Sequence, residues 1–313
     1  MTQLFDVVLP VFLVVGFGYA VAWRGWFSES AVDGVMRFAQ NFAVPVLLFR
    51  SIATLDLSAD FDLPMLAAFY VGAFASFMLG AFGARRIGRP PQDAVAIGFA
   101  CLFSNSLLLG VPITERAYGA EALAGNWAII AVHSPLLYTF GITVMEFTRA
   151  RGEDLSVGRV ALRALTGVLR TPLVIGIVCG IAMNVMLQAG LVLPGGFWAG
   201  IEMMSRAALP SALFALGGIL YRYRPEGDSR AIAICCVASL ILHPSVTFGL
   251  GRLFDLELSS LRSAVLTAAM APGVNAYLFA SIYGVAKRVA ASAVLVATAL
   301  SILSISVWLQ ILP

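Results

Sequence analysis

The chain has 313 residues, of which 60% are hydrophobic and only 12% charged, and its mean hydropathy is +0.92. Soluble domains carry about a quarter charged residues, so the composition excludes a soluble globular protein and points to an integral membrane protein. The net charge of +3 brings no basic patch interleaved with aromatics, and no nucleic-acid partner is expected.

A membrane-spanning helix needs about 20 mostly apolar residues. Ten such runs follow one another, at roughly 4–23, 35–53, 63–84, 94–113, 125–148, 172–192, 197–221, 229–251, 262–284 and 288–310. They are too long for membrane strands of about 10 alternating residues. The first run has neither a basic n-region nor a small-residue cleavage site, so it reads as a retained helix and not as a signal peptide. Fourteen of the 20 basic residues fall in alternate joints, including Arg24, Arg85, Arg86 and Arg89, and only four in the opposite ones. By the positive-inside rule the joints rich in basic residues face the cytoplasm and both termini lie outside. Cys101, Cys179, Cys235 and Cys236 lie within the runs and read as small packing residues, with no disulfide framework and no metal site.

The longest polar joint, 151–171, separates a first set of five runs (1–150) from a second (172–313). An odd number of runs in each half makes the halves opposite in orientation, so similarity between them is an inverted repeat, a plan used by many secondary transporters. Pro45-Val-Leu-Leu-Phe49 in the second run corresponds to Pro210-Ser-Ala-Leu-Phe214 in the seventh. Asn105 stands four residues before Leu109-Gly110 in the fourth run, and Asn275 four before Phe279-Ala280 in the ninth.

The fourth and ninth runs also carry helix-interrupting residues. Ser104-Asn105-Ser106 is followed by Gly110 and Pro112, and Pro272-Gly273 precedes Asn275. Irregular backbone at membrane depth is tolerated only where it is buried in protein or lines a cavity. Two broken helices meeting there would aim half-helix N-termini at an anionic solute. The alternative is a pair of kinks with asparagines bridging neighbouring helices.

On NFAVPVLLF (41–49), FSNSLLLGVPI (103–113) and MAPGVNAYLFASIYG (270–284), the chain resembles the auxin efflux carrier family, in particular its bacterial malonate or small-carboxylate carriers. The resemblance implies an all-α membrane fold of two inverted five-helix repeats with crossed broken helices in the fourth and ninth runs, alternating access, and a place in a bacterial-type cytoplasmic (inner) membrane; Pro45 and Pro210, matched above, are expected with Gly110, Pro112, Pro272 and Gly273 among the helix-breaking residues. It also implies that Asn105 and Asn275 approach a substrate carboxylate, with Ser104 and Ser106 beside them.

Arg206 should lie inside the bilayer, where an arginine costs on the order of 2.5–3.5 kcal/mol. Either it clamps a carboxylate, or it pairs with Glu202 one turn earlier; the two roles are compatible if substrate competes with Glu202. Asn41 stands relative to Pro45 as Arg206 does to Pro210. His133 and His243, the two histidines, both lie within runs; each is a candidate for carrying a coupling proton or for bridging helices. Gly176-x-x-x-Gly180 suits either bundle packing or a homodimer face. No phosphate-binding loop or H-E-x-x-H occurs, so neither an ATP-driven pump nor an enzyme is expected, and no cofactor. The leading expectation is a secondary carrier of a small organic anion such as malonate, coupled to protons or driven by the anion gradient. A sodium-coupled organic-anion symporter, an exporter of aromatic acids, and a membrane sensor or channel remain as alternatives.

Overall fold

The computed structural model describes residues 2–55, 62–150, 162, 165–167, 169–223, 226 and 228–313. Most of the polar joint 151–171 therefore lies outside the described residues, and so does the expected role of residues 151–161 as a connecting loop. Every named element among the described residues is helical. In chain order they are α1 (Thr2–Trp23), α2 (Glu29–Phe38), a π-turn (Ala39–Ala43), α3 (Val44–Ala53), α4 (Leu63–Arg86), α5 (Pro91–Leu102), a second π-turn (Ser106–Gly110) and α6 (Val111–Tyr118). A short 3-10 turn (Ala120–Leu123) leads to α7 (Ala124–Arg149), followed by α8 (Pro172–Gln188), α9 (Gly195–Arg222), α10 (Ser229–Val237) and a third π-turn (Ala238–Leu242). The chain closes with α11 (His243–Leu253), α12 (Leu258–Ala268), α13 (Val274–Tyr283) and α14 (Lys287–Ile311). Among the described residues, six helical segments are long and apolar enough to cross a membrane: Asp6–Trp23, Leu63–Arg86, Ala120–Arg149, Gly195–Arg222, Ser229–Leu253 and Lys287–Ile311.

The helix starts follow ordinary capping chemistry. Ser28 accepts from the Ala31 N–H at 3.2 Å and Asp62 from the Met65 N–H at 3.1 Å, each satisfying an N–H that has no partner inside its own helix. Gly284, at φ 74°, ends α13 in the left-handed conformation that glycine adopts without strain.

The three π-turns share one cause. Each is followed by a residue and then a proline: Val44-Pro45, Val111-Pro112 and His243-Pro244. A proline ring clashes with the carbonyl four residues back and supplies no N–H to it. The chain widens by one residue, and the residue before the proline donates five back instead: Val44 to Ala39, Val111 to Ser106, His243 to Ala238. The Leu240 carbonyl, freed by Pro244, accepts from the Trp308 indole at 3.3 Å.

The chain divides into two compact units, each drawing on both halves of the sequence. Unit 1 comprises Met1–Leu9, Asp62–Leu165 and Tyr223–Pro313; unit 2 comprises Pro10–Phe61 and Thr166–Arg222. Unit 1 has an aromatic core in which Phe99 and Phe279 stack with centroids 4.0 Å apart. Gly141 makes room for this stack, since a β-carbon there would lie 2.4 Å from the Phe99 ring.

Unit 2 is built on close backbone approach. A β-carbon on Gly18 would lie 1.9 Å from the Phe214 carbonyl, and one on Gly217 would lie 1.9 Å from that of Val15, so α1 and α9 touch at glycine. Gly176 and Gly180 of α8 face the backbone of Pro45 and Phe49, so this pair packs helices within the chain. At the end of α3, the Asn184 amide donates to the carbonyls of Ile52 (3.1 Å), Ala53 (3.1 Å) and Leu55 (2.7 Å), satisfying acceptors that the helix leaves open.

Candidate functional site

Within unit 1, α5 stops at Leu102 and α12 at Ala268, and the extended segments that follow them run antiparallel. The Asn105 N–H donates to the Ala271 carbonyl at 2.8 Å, and the Gly273 N–H to the Phe103 carbonyl at 2.9 Å. This two-bond ladder satisfies backbone groups that would otherwise be stranded where the helices end. The sequence places the interruptions well: Pro272 cannot continue a helix, and Ser and Asn offer the backbone alternative partners. Beyond the ladder, each chain re-enters a helix, at Ser106 on one side and Val274 on the other.

The side chains of the first segment turn inward on one another. Ser104, Asn105 and Ser106 are all more than nine-tenths buried. The two serine hydroxyls lie 2.9 Å apart, and the Asn105 Oδ1 accepts from the Leu108 N–H at 3.3 Å, capping the half-helix that follows. That leaves the Asn105 Nδ2 as a donor with no partner among the described residues. Asn275, half-buried in the first turn of α13, makes no side-chain hydrogen bond among the described residues. The α13 N-cap, Gly273, offers no side-chain acceptor, so the first amides of that helix also point outward. No Asp, Glu, Lys or Arg occurs within 94–113 or 263–284. The crossover is thus a neutral set of donors reinforced by a helix N-terminus, an arrangement suited to holding an anion.

Aromatic rings and an imidazole stand beside it. His133 meets Phe103 edge-on at 4.7 Å and lies 5.7 Å from Phe69 and 6.2 Å from Tyr70. Neither ring nitrogen makes a hydrogen bond of good geometry among the described residues, and the Ser104 backbone lies close to the ring. His243 differs: its Nε2 lies 3.1 Å from the Phe69 carbonyl. Further along, the Asn126 Nδ2 donates to Thr267 (2.9 Å) and Thr114 (3.3 Å), tying α7 to α12 and α6.

The remaining expected residues divide by position. Gly110 closes the second π-turn, and Pro112 follows it as the second residue of α6. The break therefore lies at 103–105, ahead of both. Pro45 likewise begins α3 behind a π-turn. Pro210 interrupts nothing: it lies inside the unbroken α9, where Ser211 returns its hydroxyl to the carbonyls of Ala207 (2.5 Å) and Ala208 (3.2 Å). The two prolines, matched in sequence, thus differ locally: a π-turn precedes Pro45 and none precedes Pro210. Asn41 and Arg206 belong to unit 2, apart from the unit that carries the crossover. Asn41 is exposed in the first π-turn. Arg206 pairs with Glu202 through Nε at 2.8 Å, and Glu202 reaches Arg50 with its other oxygen at 2.5 Å. Arg50, one of the four basic residues in the opposite joints, thus belongs to a three-residue cluster. Asn126 and Asn184 also went unnoticed there; an asparagine inside an apolar helix was the available signal.

Comparison with known proteins places this architecture. The pattern defining the family described as "Membrane transport protein" matches residues 3–309. The chain belongs to that family. A Rhizobium meliloti (strain 1021) protein named "Putative malonate transporter" is 25% identical to this member over 98% of the chain and 95% of its own length. The mouse "Lysosomal cholesterol signaling protein" is 24% identical over the whole chain, which spans only 38% of that protein. A rice "Auxin efflux carrier component 3a" is 29% identical over 46% of the chain and 24% of its own length. This family member is therefore an integral, multi-pass membrane transport protein of the auxin efflux carrier family. Its expected partners are a small-molecule substrate and the lipid bilayer.

Proposed function

We propose that the protein is a secondary active carrier of a small organic anion, malonate or a close carboxylate, across the cytoplasmic membrane. The single observation that carries this reading is the crossover of two interrupted helices, where Asn105 and Gly273 pair with Ala271 and Phe103 and no side chain is charged. Asn105 Nδ2, Asn275, Ser104 and Ser106 supply donors to the carboxylate, with the α13 N-terminus behind them. The ten helical passages form two inverted five-helix repeats, residues 1–150 and 172–313, with both termini outside. Alternating access exposes the crossover first to one side and then to the other. Chemistry on the substrate plays no part.

His133 is the residue we assign to a coupling proton. It is an unpartnered imidazole in ring contact with Phe103, and an anion at the crossover would supply the countercharge that its protonated form needs. His243, already held by Phe69, is a packing residue in this reading.

A second reading rests on the rings. Phe99, Phe103 and Tyr138 lie within 5.5 Å of one another by centroid, with Phe279 stacked on Phe99, a wall that would favour an aromatic acid over a compact dicarboxylate.

Counterflow in proteoliposomes tests both. Saturable exchange of labelled malonate, reduced at least tenfold by Asn105→Ala and by Asn275→Ala, is expected. Exchange of indole-3-acetate without malonate would favour the aromatic-acid reading, and exchange of neither would overturn the carrier assignment.

A further inference from the structure

The strongest feature outside the crossover is the cluster on unit 2 formed by Arg50 near the end of α3 and by Glu202 and Arg206 on α9. Glu202 offers one oxygen to each arginine: Oε2 lies 2.5 Å from an Arg50 terminal nitrogen, and Oε1 lies 2.8 Å from the Arg206 Nε. Each guanidinium therefore uses a single nitrogen on the carboxylate, in place of the two-pronged grip that an arginine prefers. Among the described residues neither makes another side-chain hydrogen bond or ion pair. Two cations share one anion, so the cluster is left with one net positive charge.

Its surroundings fix it in place and leave it open. Phe49, beside Arg50, stacks on Trp198, one turn before Glu202 (centroids 6.5 Å apart, planes 20° apart). The carbonyls that end α3 are held by Asn184. The backbone that positions the two arginines is thus anchored, while the side chain of Arg206 is 79% exposed. Arg206 stands eleven residues into α9, about 16 Å along it at 1.5 Å per residue. An exposed guanidinium at that depth of an apolar helix is unfavourable against lipid and favourable against water. The face bearing Glu202 and Arg206 consequently suits an aqueous path taken by a charged solute.

We propose that Glu202 is a built-in stand-in for the solute's carboxylate, and that Arg50 and Arg206 form an anion-binding subsite which the solute enters by displacing it. The cluster already stabilises one carboxylate between two guanidinium forks. A dicarboxylate presents the same group and can engage both nitrogens of each fork. This proposal rests on the carrier reading and adds to it a separate anion subsite built wholly within unit 2, with Glu202 as its competitor.

Malonate binding to the purified, full-length protein in phosphatidylcholine nanodiscs, followed by isothermal titration, tests it. Glu202→Gln keeps the side chain's shape and removes the competing charge, so it should tighten malonate binding about five- to tenfold, whereas Arg206→Gln and Arg50→Gln should weaken it by a similar factor. Should Glu202→Gln fail to fold, Arg206→Lys keeps the charge and loses the fork, and a drop of at least threefold in affinity is expected. Unchanged or weaker binding in Glu202→Gln, with binding still dependent on Asn105, would overturn the stand-in role and leave the carrier reading intact. Absence of malonate binding in the wild type and in Glu202→Gln would overturn both. A gain that Glu202→Gln makes only for phosphatidylglycerol added to the discs would assign the arginines to a lipid phosphate and overturn the solute subsite.

Discussion

The two ends of the Asn105 amide face different partners. Its oxygen caps the half-helix that begins at Ser106, and in the proposed carrier its nitrogen serves the ligand, so Asn105→Ala should lower both stability and transport. The lost cap corresponds to about 1 kcal/mol, readable as a lower thermal midpoint without substrate. Asn275 makes no side-chain bond among the described residues, so Asn275→Ala should leave that midpoint within about 0.5 kcal/mol while transport falls. Equal loss of stability in both variants would contradict this division.

The histidines separate in the same way. Removing a buried polar group that has no partner is neutral or favourable, and removing one from a made pair leaves a buried acceptor unsatisfied. His133→Leu should therefore hold or raise the midpoint, and His243→Leu should lower it by about 1–3 kcal/mol. Under the proton assignment, His133→Leu transport should also stop responding to pH, and an unaltered pH profile would remove His133 from that role.

Among the helices, prolines act by register. Pro112→Ala restores an N–H to the Leu108 carbonyl and removes the cause of the second π-turn. One residue fewer in that turn rotates the preceding chain by about 100°, carrying the Ser104–Ser106 donors away from Ala271. Transport should drop about tenfold or more with little change in thermal stability, and unaltered exchange would detach the π-turn from the site.

Glycines act by distance. Gly18→Val would place a side chain where the Phe214 carbonyl stands, and a destabilisation of about 3 kcal/mol or more is expected, seen as loss of the monodisperse peak in size-exclusion chromatography.

The breaks at Ser-Asn-Ser and Pro-Gly were legible in the sequence because a membrane helix tolerates such residues only for a reason. The π-turns were legible in principle from X-Pro within apolar runs, but Pro210 has the same signal without the turn. What could not be read was pairing across the fold. Arg50 and Glu202 stand 152 positions apart, and only the packing of α3 with α9 brings them together. The Arg206–Glu202 pair, by contrast, follows from helical spacing alone and was anticipated as one of two roles.

At the scale of the whole molecule, each compact unit collects stretches from both halves of the chain. A hydropathy walk finds apolar stretches in chain order but carries no information on such interleaving. The proposed topology has its own test. In a Cys179→Ser background, Val192→Cys should react with a membrane-impermeant maleimide added outside intact cells, and Trp26→Cys should not; both positions are well exposed. The opposite labelling would invert the orientation.

The absence of ionised side chains from the crossover bears on energy as well as recognition. A solute that binds there brings its charge uncompensated, so a cycle without a co-transported cation moves net negative charge through the membrane. Each elementary charge then gains about 2.3 kcal/mol per 100 mV when it leaves a negative interior, roughly a fiftyfold bias per charge, squared for a dianion. Voltage alone would drive such a carrier outward. Every proton taken up with the anion removes one factor of that bias, so a single protonated imidazole would make the passage of a monoanion electroneutral and would leave a dianion with one factor in place of two.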